Sequence, residues 1–338
     1  MKRTEITTRL ASDKNLLTAL EVFVAIAETR QVTRAARLMG MTQSAASQQL
    51  AALEAACDAR LVDRTVRPVR LTQAGELCLR HAQRILNSVE DLATTMRHEG
   101  PHPISVLRIG MQASIATTLT PALVRLLKSE IAVEDVTLHA GQSADHETLL
   151  QTKRADLVIT SNPLYDIDGL ERHEVLTENF LLVLPQSYRG PSAQLSDILA
   201  HLPLVRFAAT TSVGRRTEQH LRRLKLTVPR VIQADRSSMV TACVAEGLGF
   251  TILSPTLLID GFVERMPLVV RPLPGPGFSR RITVISRAGD LHDLPARVAA
   301  LARHELLRQV DTQMGAVGRA AVAAPSAEQA SGPGATVT

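Results

Sequence analysis

The sequence predicts an α/β chain in two parts: a winged helix-turn-helix extended by one long helix, then a domain of alternating strands and helices. Three observations carry this. Residues 32–53 read as a short amphipathic helix, a tight turn and a second amphipathic helix. Residues 73–98 form one uninterrupted helical run. Beyond the Gly-Pro-His-Pro break at 100–103, short apolar runs alternate with helical periodicity, the βαβ rhythm of a parallel sheet covered by helices on both faces.

Each element has a local reason. In the helix expected at 16–29, Leu16, Leu20, Phe23 and Ala27 share a stripe, with Leu17 and Val24 beside it. Ala35, Ala36 and Leu38 give the next helix small apolar packing, and Gly40 and Met41 supply the turn. Thr42 is an N-cap for the second helix of the motif, whose Ala46, Leu50 and Leu53 recur on one buried face. The opposite face carries Gln43, Ser44, Ser47 and Gln48, uncharged groups able to read base edges in a major groove. An ordinary helical hairpin with a polar outer face would show the same pattern. Leu61, Val62, Val69 and Leu71 flank Arg67 and Pro68 as a two-stranded wing with a basic tip, and Thr72 caps the long helix.

That helix would span roughly 39 Å. Its apolar positions from Ala82 through Ile85, Val89, Leu92 and Met96 fall at spacings of three and four, a seam that suits a second copy of itself. Strands are expected at 106–111, 133–139, 155–160, 180–185, 204–207, 231–234, 250–253, 268–272 and 281–286. Helices are expected between them and at 295–310. From Gly315 on, Ala, Gly, Pro and Ser dominate, so 311–338 is expected to be a disordered tail, and 1–15 a flexible arm.

Composition narrows the function. The net charge is +5, and from Arg60 to Arg70 four arginines face one acid, Asp63, just after the helix-turn-helix. Three cysteines are scattered without metal spacing, so buried or idle thiols in a reducing cytoplasm are expected, with a redox switch between two of them as the lesser alternative, and with no metal and no cofactor. The N-terminus lacks an apolar signal core, and no run of about 18 apolar residues could span a membrane.

With the order of parts in view, the chain resembles the LysR-type transcriptional regulators. The N-terminal resemblance rests on Phe23, Thr33, Arg34, Ala35, Ala36, Leu38, Thr42, Gln43, Ser47, Leu53, Glu54, Leu61, Arg64, Leu71, Thr72, Ala74 and Gly75. The C-terminal resemblance rests on Arg108, Ile109, Gly110, Pro121, Ala155, Asp156, Leu157 and Val244 to Gly249, then Leu253 and Pro255. The chain departs from the family where Arg30, Gln31 and Val32 replace Gly-Ser-Phe, where Cys57 and Asp58 replace a helix-ending Gly, and where Val62 replaces Phe.

The resemblance implies a cytoplasmic, non-catalytic, sequence-specific regulator. Its helix-turn-helix would occupy 16–72, a dimerisation helix 73–98 and a hinge 99–104. The effector-binding domain would occupy 105–310, two-lobed like periplasmic binding proteins, with subdomain I at 105–180 and 267–310 and subdomain II at 181–266. Its partners would be double-stranded promoter DNA, a small effector, its own copies as a dimer and a tetramer, and RNA polymerase. Gln43, Ser44, Ser47 and Gln48 are the expected reading residues, Thr42 and Arg34 hold phosphates, and Arg64, Arg67 and Arg70 serve the wing. Ser114, Ser143, Arg206, Thr210, Thr211 and Ser212 are expected at the effector cleft, with Arg206 pairing a carboxylate of an organic acid or amino acid. N-capping by Ser114 and Ser143, and a structural ion pair at Arg206, fit the sequence equally. An enzyme on the α/β part finds no support in a GxGxxG, Walker, GxSxG or HExxH motif, and the ten histidines are scattered. A free-standing solute-binding protein fits neither the basic wing nor the N-terminus.

Overall fold

The structure is a computed structural model describing residue 10, residues 15–97, residue 104 and residues 106–325. The expected arm and hinge lie almost wholly outside them. Two compact units divide after Pro101, with Gln151–Arg154 grouped with the first.

In the first unit, α1 (Leu16–Thr29), α2 (Val32–Leu38) and α3 (Gln43–Cys57) enclose Leu20, Phe23, Ile26, Ala35, Ala36, Ala46, Leu50 and Leu53. Thr42 caps α3 by accepting from the Ala45 N–H at 3.1 Å. β1 (Val62–Asp63) and β2 (Arg70–Leu71) pair antiparallel as the wing, and Thr72 caps α4 (Gln73–Arg97) through the Gly75 N–H at 3.0 Å. The two places where the resemblance leads one to expect glycine explain themselves. Arg30 ends α1 at φ 53°, and Asp58 ends α3 at φ 51°. Both take the left-handed conformation that a glycine would adopt freely, at a cost of about 1 kcal/mol each.

The second unit is built on two sheets. The larger has the order β13-β6-β12-β5-β3-β4, formed by β3 (Val106–Gln112), β4 (Asp135–Gly141), β5 (Leu157–Thr160), β6 (Leu170–Asn179), β12 (Ser279–Arg287) and β13 (Val322–Ala323). Only the β3–β4 and β3–β5 pairs are parallel; β12 and β6 return antiparallel, so the expected all-parallel sheet is mixed. The helices α5 (Ala113–Arg125) and α11 (Leu294–Ala320) bury Leu119, Leu123, Val298, Ala302 and Leu306 against Ile109, Ile159, Ile282 and Val284. Between β4 and β5 lies α6 (Ser143–Gln151).

The smaller sheet has β7 (Leu181–Pro185) between β10 (Thr251–Leu253) and β11 (Leu268–Pro272). The parallel pair β8 (Val205–Phe207) and β9 (Ile232–Ala234) is attached to it by a Leu204–Phe250 bridge. Around it pack α7 (Leu195–Leu199), α8 (Ser212–Arg223), α9 (Ser237–Ala245) and α10 (Pro255–Asp260).

Two expected boundaries change. β11 pairs with β7, so the second lobe runs past 266 to Pro272 before the chain crosses back. Residues 311–325 are ordered structure and no part of a tail. α11 continues past Val310, kinks at Gly315 (φ 54°, ψ −135°), and leads into β13 on the edge of β6, where the Asn179 N–H reaches the Ala321 carbonyl at 2.7 Å. The alanines and glycines that suggested disorder serve close packing: Ala321 and Gly318 are both buried, and a Cβ on Gly318 would lie 2.8 Å from a Val310 methyl. Residues 326–338 lie outside the described part.

Candidate functional site

Two places in the chain gather the chemistry. In the first unit, α3 starts with its polar face open. Thr42, Gln43, Ser44 and Gln48 are exposed and Ser47 is half-buried, while Ala46 and Leu50 are fully buried beneath them. Arg34 on α2 and Arg67 and Arg70 on the wing are exposed. Arg64 has a second commitment, because its guanidinium lies 3.3 Å from Glu54, a carboxylate only 6% exposed. Glu54 also accepts from the Leu61 N–H at 2.8 Å and the Val62 N–H at 3.3 Å, and pairs with Arg60 at 3.5 Å. The sequence offers Glu54 only as a polar residue beside Leu53. The structure makes it the clamp between the end of α3 and the wing.

On α4, Leu77, Ile85, Val89 and Leu92 remain exposed. The last three repeat at i, i+4 and i+7, so the seam predicted for self-association is open to a partner.

The second place is a cavity of about 480 Å³ between the two lobes of the second unit. It is walled by the ends of β3 and β4 (Gln112, Ala140, Gly141), by the first turn of α5 (Ser114, Thr117), by Thr211 and Ser212 at the start of α8, and by Asp235, Arg236, Ser237 and Ser238 at the start of α9. With Gln142 just before α6 also on the wall, α5, α6, α8 and α9 all begin there, each just past a strand end, so their first-turn N–H groups favour an anion. Gln112 is 6% exposed and its side-chain oxygen has no partner.

Beneath this cavity lies a charged network. Arg280 on β12 donates through Nε to Glu178 on β6 at 2.5 Å, and through an Nη to Thr256 at 2.7 Å and Ser114 at 3.3 Å. Glu178 accepts in turn from the Thr256 N–H and hydroxyl at 2.9 and 2.8 Å. Both charged side chains are fully buried. Arg216 on α8 reaches the Ser161 carbonyl at 3.1 Å, and burial, with Arg280 nearby, holds its guanidinium below its ordinary pKa. Burial pushes the carboxyl of Asp260, another lining residue, upward.

The expected effector residues divide. Ser114, Thr211 and Ser212 line the cavity. Ser114 accepts from Arg280, and Thr211 caps α8 by accepting from the Gly214 N–H at 2.9 Å. Ser143 opens α6, and its side chain lies outside the described residues. Thr210 is exposed and does not line the cavity. Arg206 is a correction. It is 6% exposed, paired with Glu218 at 2.5 Å and bonded to the Val228 carbonyl, and it too is absent from the wall. It sits inside β8, where strand alternation turns it to a structural ion pair. Arg236, Asp235, Asp260 and Arg280 were not anticipated. Arg236 and Asp235 could have been found as the charged residues just past β9. A larger cavity of about 620 Å³ lies along α5, α10 and α11, but its Glu305 and Arg308 already pair with each other at 2.7 Å.

Comparison with known proteins agrees with this division. The family model for the bacterial regulatory helix-turn-helix protein of the lysR family matches residues 17–76, and that for the LysR substrate binding domain matches residues 102–308. A probable hydrogen peroxide-inducible genes activator of Mycobacterium avium is 29% identical over 82% of this chain and 89% of its own length. The nitrogen assimilation regulatory protein nac of Escherichia coli is 26% identical over 86% and 93%. Among solved structures, CbnR, a LysR family transcriptional regulator, aligns over 86% of this chain and 99% of its own with a TM-score of 0.60 at 19% identity. An OxyR variant from Corynebacterium glutamicum aligns over 90% and 95% with a TM-score of 0.55 at 21% identity.

Proposed function

The chain belongs to the LysR family of transcriptional regulators, and from that premise we propose which of its residues read DNA and which hold the effector. It is a DNA-binding transcriptional regulator with an effector-binding domain, and its family consists of regulators that are not enzymes. Gln43, Ser44, Ser47 and Gln48 read base edges in the major groove. Thr42 and Arg34 hold flanking phosphates, and Arg64, Arg67 and Arg70 bring the wing to the backbone or minor groove. The observation that carries this reading is the uncharged, exposed start of α3 set among exposed arginines on α2 and the wing. The exposed seam of α4 supports dimerisation along that helix, with tetramers built from two such dimers.

The effector is an organic acid or an amino acid held in the cleft by Ser114, Ser143, Thr211 and Ser212, together with Arg236. The four helix N-termini, with half-buried Arg216 and buried Arg280 below, favour a carboxylate, and Asp235 is available to an ammonium group. Binding there modulates promoter binding or activation. The chain itself is non-catalytic and cytoplasmic, and RNA polymerase is its further partner at the promoter. Among the described residues no helix is long and apolar enough to cross a membrane.

DNA retardation tests the reading residues. Arg67→Ala is expected to weaken binding to all sequences alike and to reduce the salt slope by about one charge, whereas Gln43→Ala should relax preference at one or two base positions. Equal loss on specific and random DNA for Gln43→Ala would remove it from the reading face. For the effector, a thermal-shift panel of small acids and amino acids is expected to contain a stabiliser. At about a hundred times its Kd it should add about 2.7 kcal/mol, and Arg236→Ala should abolish that gain.

A further inference from the structure

We propose that Cys57 and Cys78 form an oxidisable dithiol, a modification site for small hydroperoxides within the DNA-reading unit. Cys57 is the last residue of α3 and Cys78 lies in the second turn of α4, on opposite sides of the wing. Their thiols are hydrogen-bonded to each other, both pack on the same core, and neither is fully buried.

The backbone builds this juxtaposition. The Thr72 hydroxyl donates to the Arg60 carbonyl at 2.7 Å, and the Thr72 N–H donates to the Leu61 carbonyl at 3.0 Å. A Cβ on Gly75 would fall 2.0 Å from the Leu61 carbonyl oxygen, so only glycine allows α4 to start this close to the end of α3. Cys57 lies three positions before Arg60 on one side of this junction, and Cys78 six positions after Thr72 on the other. The third cysteine, Cys243, belongs to α9 in the other unit and packs against the smaller sheet's core.

The two thiols have different roles. The bond from Cys78 lowers Cys57 to about 7, while the same bond, with burial, pushes Cys78 up. Cys57 is therefore the more acidic of the two thiols and is partly ionised at neutral pH. Its sulfur attacks one hydroperoxide oxygen, the O–O bond breaks, and the departing oxygen takes a proton and leaves as an alcohol, or as water from hydrogen peroxide. Cys57 is then a sulfenic acid. Cys78 attacks that sulfur, its thiol proton joins the hydroxyl, and water leaves. Two thiols and one hydroperoxide become one disulfide, one alcohol and one water; both sulfurs are oxidised and both peroxide oxygens reduced. The bond ties the end of the reading helix to α4. This inference stands apart from which residues read bases.

The test uses the full-length protein and hydrogen peroxide. The wild-type chain is expected to lose two of its three thiols. Non-reducing peptide mapping should join the Cys57 and Cys78 peptides within one chain, and dithiothreitol should restore all the thiols. Cys243→Ser should form the same bond. Cys78→Ser should stop at a sulfenic acid on Cys57 that dimedone captures, and Cys57→Ser should form no intrachain bond. The wild-type result does not depend on any variant folding. Retention of all three thiols under peroxide that oxidises free cysteine, or a bond that involves Cys243 or a second chain in place of this pair, would overturn the proposal.

Discussion

Replacing Glu178 with alanine is expected to destabilise the two-lobed unit by about 3–5 kcal/mol, because it strands the Arg280 guanidinium without a counter-charge where neither group meets water. The carboxylate also accepts two bonds from Thr256 at the start of α10, so that helix loses its anchor to β6. The chain has no tryptophan, so urea unfolding is best followed by circular dichroism. The sharper part of the prediction is the double variant. Glu178→Met with Arg280→Met removes both charges and keeps similar volume, and it is expected to recover most of the loss. A double variant as unstable as the single one would mean that shape and the bonds to Thr256 and Ser114, not charge, hold the network. Arg280 bonds to Ser114 on the cavity wall, so the recovered double variant should still answer its effector more weakly than the wild type.

What the sequence made legible was local. The faces of α1 and α3, the Thr42 and Thr72 caps and the long helix follow from spacings of three and four residues within one element. The Arg280–Glu178 pair joins residues 102 apart, and no periodicity records such a meeting. β6 escaped for the same reason. Seven of the ten residues of Leu170–Asn179 are polar, because β12 supplies charged partners, Arg281 to Glu174 and Arg280 to Glu178. Arg206 was read as a cleft residue because it lies near a strand end. A shift of one residue along a strand reverses the face, and that register is set by β9 and α8, far along the chain. The tail was misread because small residues signal disorder when unpacked and close packing when a partner strand is available. Only β6 could supply that difference. In the candidate sites, the reading face was open to inspection because it is one helix turn, whereas the cavity wall is assembled from loops after four separate strands.

Glu54 gives the first unit its largest expected effect. Glu54→Ala leaves the Leu61 and Val62 N–H groups without their acceptor in a buried position, and is expected to lower stability by about 3 kcal/mol. The wing should loosen first, since those two residues lead into β1. Glu54→Gln separates the causes. Its amide oxygen can still accept from both N–H groups, while the pairs with Arg60 and Arg64 are lost. Those arginines are 77% and 45% exposed, so their pairing contributes little against solvent screening. Thermal unfolding of Glu54→Gln should therefore lie near the wild type, and that of Glu54→Ala well below it. DNA binding adds a second reading of the same clamp. With its counter-charge gone, Arg64 in Glu54→Gln is free to turn to phosphate, so its affinity for all sequences should hold or rise and its salt slope steepen. Glu54→Ala should bind all sequences more weakly, as a wing without a fixed start would. If both variants were equally unstable, the ion pairs rather than the two backbone bonds would be what ties the reading helix to its wing.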